Sequence, residues 1–129
     1  MSIFNSLFGN SEEKKEITNT IDWIPLTNLG QLNEIMMLSE VNPVLVFKHS
    51  TRCSVSRMAL KQFENEFDLK DRVEAYFLDL LEYRNISNEI AERFQVEHQS
   101  PQLILIKDGK AMYNVSHSAI DALELKGKL

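Results

Sequence analysis

The chain has 129 residues, enough for one domain of ordinary size and little more. Its 43% apolar share supports a packed core, while 14 basic against 19 acidic side chains, a net charge of −5, argue against binding nucleic-acid phosphates. One cysteine excludes an internal disulfide and a multi-cysteine zinc site, and no apolar run reaches the roughly 20 residues of a membrane-spanning helix, so a soluble protein of a reducing cytoplasm is expected.

Residues 1–20 lack the basic start, long apolar stretch and cleavage site of a secretory signal. Ile3, Phe4, Leu7 and Phe8 at helical spacing, then a mixed-charge run from Glu12 to Glu16, read as a tail or short docking helix. Residues 21–129 read as one domain. Residues 23–26 suit a short strand, which Pro25 confines to an edge or a strand start because it lacks a ladder donor. Thr27 or Asn28 then caps a helix carrying Leu29, Leu32, Ile35 and Met36 on one side. Residues 43–47 form a continuous apolar run, the pattern of a strand covered on both faces.

A second helix is expected over residues 52–67, with Val55, Met58, Ala59, Phe63 and Phe67 inward and Arg57, Lys61, Glu64 and Asn65 outward. Residues 73–80 suit a strand, and Ile86, Ile90, Ala91 and Phe94 mark a third amphipathic helix. Residues 103–106 and 111–115 read as two strands joined at Asp108-Gly109, a tight-hairpin signal. Residues 118–121 look like a capping box opening a last helix that ends near Lys126-Gly127. The order βαβαβα followed by ββα predicts an α/β fold: a mixed central sheet of four to five strands with helices on both faces.

Cys53 falls where the second strand gives way to the second helix, in Ser50-Thr51-Arg52-Cys53-Ser54-Val55-Ser56. Helix N-terminal amides, the helix dipole and the cations Lys48, His49 and Arg52 favour thiolate there, so a reactive, partly open thiol is expected. Ser56, three residues on, can turn its hydroxyl towards the sulfur. With a single cysteine, any mixed disulfide formed at Cys53 must be resolved by an external thiol, which favours transfer of a small thiol over reduction of a protein disulfide. His49, His98 and His117 show no metal-ligand spacing, and four glycines without a Gly-rich loop give no nucleotide cradle, so neither metal nor cofactor is expected.

Cys53-x-x-Ser56 at a strand-to-helix turn, Ser100-Pro101 before the next-to-last strand and the element order resemble the thioredoxin superfamily. The string Phe47-Lys48-His49-Ser50-Thr51-x-Cys53-x-x-Ser56, with Trp23-Ile24-Pro25-Leu26 upstream, resembles the monothiol bacilliredoxin (YtxJ-like) family from about Trp23 onward. The resemblance implies a thioredoxin-like fold, a cis proline at Pro101, and removal of bacillithiol, a low-molecular-weight thiol, from mixed disulfides on thiolated proteins. It implies Cys53 as nucleophile, Ser56 in place of a resolving cysteine, and a substrate groove of His49, Thr51, Arg52, Ser54, Ser100 and Pro101. Ser54 stands where typical members carry proline, and Phe47 where dithiol thioredoxins often bury an aspartate. Two other readings are an iron–sulfur carrier of the monothiol glutaredoxin type, whose motif has glycine after the cysteine, and a non-catalytic binding domain.

Overall fold

The computed structural model describes residues 21–129, so the tail expected at residues 1–20 lies outside the described residues. The chain runs β1 (Ile24–Pro25), α1 (Gly30–Leu38), β2 (Val44–His49), α2 (Ser54–Glu66), β3 (Glu74–Asp79), α3 (Arg84–Arg93), β4 (Gln102–Lys107), β5 (Lys110–Ser116), a 3-10 turn (His117–Ala119) and α4 (Ala122–Lys126). One five-stranded sheet forms in the order β1-β3-β2-β4-β5. β1 and β2 pair parallel with β3, whereas β4 lies antiparallel to β2, and β5 to β4. This is the mixed sheet expected from the element order. Pro25 sits on the edge strand, where its missing N–H costs no ladder bond.

β2 is central, and all six of its residues are buried. Its alternation sends Val44 and Val46 into a core with Leu32, Ile35, Ile86 and Ile90 of α1 and α3. Leu45 and Phe47 enter a second core with Phe63 of α2 and Leu125 of α4. Each fully buried Val, Leu or Phe contributes about 1.5–3 kcal/mol by leaving water, so the two cores fix the sheet between its helix pairs. Asp108 (φ 52°) and Gly109 (φ 74°) take the positive φ values that close the β4–β5 hairpin.

Two local expectations are corrected. On α2 the buried residues are Ser56 and Phe63, while Val55 is 50% and Met58 71% exposed. Ser56 turns inward because its hydroxyl finds buried partners there, which rotates Val55 and Met58 onto the surface. Glu64, expected outward, accepts a hydrogen bond from Trp23 Nε1 at 2.7 Å. At the last helix the cap is Asp121, whose carboxylate accepts the N–H groups of Leu123 and Glu124. Ser118 lies instead in the 3-10 turn, and extended Ile120 separates that turn from α4.

Candidate active site

The carboxyl end of β2 and the start of α2 form a tight corner. Ser50 C=O accepts the Cys53 N–H at 3.2 Å, and Cys53 C=O accepts the Arg57 N–H at 3.0 Å. Cys53 is therefore the N-cap residue, with extended backbone (φ −107°, ψ 123°), at the positive end of the helix. Its side chain is half-buried. Thr51, Arg52 and Ser54 around it are exposed, and Arg57 Nη1 donates to Thr51 C=O at 3.1 Å across the turn. The expected amide contacts to the sulfur are absent, since the Cys53 side chain caps no N–H of α2. A thiol is a weak acceptor, so little holds it over the amides.

Beneath this corner lie His49 and Ser56. Ser56 Oγ accepts the Ser50 N–H at 3.0 Å and lies 2.8 Å from His49 Nδ1. The expected turn of the hydroxyl towards sulfur gives way to these two partners. Ser56 is fully buried and His49 nearly so. Burial lowers the His49 pKa, as does Arg57, against partial opposition from Asp79 and Glu64. A neutral ring has two tautomers, and they give the hydroxyl two roles. With Nδ1 bare, Ser56 donates to His49. With Nδ1–H, the ring donates and the hydroxyl proton is released to point elsewhere.

The Ser100–Pro101 peptide is cis, as the resemblance implied. The Lys48–Gln102 pairing between β2 and β4 sets Pro101 at the same end of the sheet as the Cys53 corner. Pro101 C=O accepts the N–H of His117, which draws the 3-10 turn to this end as well. An apolar groove of about 210 Å³ adjoins it, lined by Val55, Met58, Ala59 and Ile120 with Gln62, His117 and Ser118. Ser100 Oγ is buried and has no hydrogen-bond partner among the described residues.

Lys48, expected among the cations beside the thiol, faces the other side of the sheet. Its Nζ donates to Nδ1 of His98 at 2.9 Å, and Ser87 Oγ lies 3.3 Å from the same nitrogen. Ser87 and this pairing were not legible in the sequence, where the one available signal was a lysine continuing an apolar strand. Among the described residues no group of three or more His, Cys, Asp or Glu side chains could hold a metal ion, and no helix is long and apolar enough to cross a membrane.

Residues 24–125 match the family described as Monothiol bacilliredoxin BrxC. Among solved structures, the chain is 32% identical to one described as a candidate oxidoreductase with a thioredoxin fold, over 81% of this chain and 90% of that one, with a TM-score of 0.69. Fasciola hepatica thioredoxin is 19% identical over 81% of this chain and 93% of its own, with a TM-score of 0.60. Mitochondrial thioredoxin 3 of Saccharomyces cerevisiae is 20% identical over 88% and 95%, with a TM-score of 0.57. These last two share the fold. Because the family match runs unbroken from the edge strand through the cysteine corner to the last helix, the chain belongs to the monothiol bacilliredoxin family of the thioredoxin superfamily, oxidoreductases that act through one cysteine and an external thiol.

Proposed function

We propose that the chain removes a small thiol of the bacillithiol class from mixed disulfides on proteins of a reducing cytoplasm, with Cys53 as the nucleophile. The Cys53 thiolate attacks the small thiol's sulfur. A bond forms between the two sulfurs, the S–S bond between the small thiol and the protein's cysteine breaks, and the protein leaves as a thiolate that takes a proton from water. A second molecule of the small thiol, as thiolate, then attacks the adduct. It releases Cys53 as thiolate and departs as the small-thiol disulfide.

The observation that carries this reading is the solitary half-buried thiol at the α2 N-cap, with a hydroxyl at the position three residues on. No internal thiol can compete for the adduct. In this scheme Pro101 and Ser100 face the incoming mixed disulfide, Thr51, Arg52 and Ser54 form the exposed turn around the thiol, and His49 orients Ser56 from below. Incubating a bacillithiolated test protein with wild type and with Cys53→Ser tests it by mass spectrometry. Release is expected with wild type and at background rate with Cys53→Ser. Equal rates overturn the proposal.

A further inference from the structure

Consecutive residues at the end of β2 point to opposite faces, His49 towards α2 and Lys48 towards α3. Lys48 is 0% exposed, yet among the described residues no carboxylate is paired with it. Among the described residues the ion pairs are Lys70–Asp22, Arg93–Glu89 and Lys126–Asp68. His98 Nδ1 offers the ammonium a lone pair but no negative charge. Burial accordingly lowers the Lys48 pKa to about 8. An interior ammonium without a counter-ion is costly and drifts towards its neutral form, so an anion reaching it gains a charge partner, and groups perturbed in this way cluster at functional sites.

The surroundings match that need. His98 is exposed, so it stands between Lys48 and solvent as a cover whose Nδ1 is held by Lys48 and, more weakly, by Ser87. Its own pKa is lowered by burial of the ring, then by Lys48 and by Arg84. Arg84 opens α3, whose first turn holds no acidic residue and whose N-cap, Tyr83, makes no side-chain cap. The first-turn N–H groups there add partial positive charge. Buried Ser87 supplies a hydroxyl. Gln102 fixes the loop behind His98: its side-chain amide donates to Glu97 C=O at 3.0 Å, and its Oε1 accepts the Gln99 N–H at 3.3 Å. That loop runs directly into cis Pro101.

We propose that Lys48, Arg84 and Ser87, covered by His98, form a subsite for a carboxylate of the small thiol that Cys53 transfers, on the α3 side of the cis proline. The subsite rests on the dethiolation reading above. An arriving carboxylate displaces His98 Nδ1 from Lys48 and becomes the missing counter-ion, with no covalent bond made or broken. Among the described residues the titratable groups facing Lys48 are His98 and, beyond that ring, Arg84, so deprotonation of Lys48 removes the main attraction.

The test loads one carrier protein with bacillithiol, whose malyl group bears two carboxylates, or with its dimethyl ester, and compares release. Wild type is expected to favour the acid form about tenfold in kcat/KM, as for loss of a charge-assisted hydrogen bond. Lys48→Met is expected to bring the ratio to about one, and exposed Arg84→Gln to lower it about threefold. The wild-type preference fades as pH rises through about 8. A wild-type ratio of one, or a Lys48→Met ratio equal to a tenfold wild-type ratio, overturns the subsite. Independently of transfer, succinate titrated into Cys53→Ser is expected to shift the His98 ring resonances saturably, and not when Lys48→Met is added. No saturable shift overturns the subsite. A saturable shift with neither adduct released supports the anion site and overturns the dethiolation reading instead.

Discussion

At Ser56 the hydroxyl serves the corner that presents the thiol. It ties the part-buried Ser50 N–H to the buried His49 ring, and so joins β2 to α2 directly below Cys53. Ser56→Ala takes this partner from the buried His49 ring and from the part-buried Ser50 N–H, and the free energy of unfolding in urea is expected to fall by about 1–3 kcal/mol. A value equal to wild type refutes that role. The same network gives His49 a positioning part, since only the tautomer with Nδ1–H frees the hydroxyl proton. Lys48, one residue earlier, has no share in this network because strand alternation turns it to the other face.

Among the elements, the β4–β5 hairpin depends on backbone geometry more than on packing. Gly109 holds φ at 74°, and a Cβ added there meets only Met36 Cε at 3.6 Å, an ordinary contact. The penalty for Gly109→Ala is thus conformational, and a loss of about 1 kcal/mol is expected in urea unfolding. No loss refutes the argument. This turn was legible in the sequence because Asp-Gly between apolar runs specifies it locally, as the unbroken apolar run of β2 specifies a strand covered on both sides. The α2 stripe and the α4 cap were not. Burial of Ser56 depends on His49 across the corner, and Ser118 yields to Asp121 because His117 adopts φ 55° and starts a 3-10 turn. At the site, Cys53 was readable from its place between two periodic segments. The Lys48–His98 bond joins residues 50 positions apart, a pairing created only by laying β4 beside β2. Pro101 in its cis form came from resemblance, since spacing alone does not select an isomer.

For the whole molecule, burial holds Lys48, His49 and His98 towards their neutral forms. At each site the unfolded chain binds the proton more readily, so protonation favours unfolding. The Lys48 contribution is complete above 10.5, its unfolded value, and is lost as pH falls to about 8. The histidine contributions are complete above 6.5 and are lost as pH falls below it. Resistance to urea is therefore expected to rise from pH 5 to 6.5 and again from pH 8 to 9.5, below the range where Tyr76 and Tyr113, raised by burial, titrate. Lys48→Met should erase the second rise, on the order of 2 kcal/mol, and keep the first. A flat wild-type profile above pH 8 contradicts this assignment. One cysteine in 129 residues also means that the chain stores no oxidising equivalents in a bond of its own. At steady state the fraction of molecules bearing an adduct follows the ratio of capped to free small thiol around them. Under the proposed reaction the protein is as much a gauge of that reservoir as a tool that draws on it.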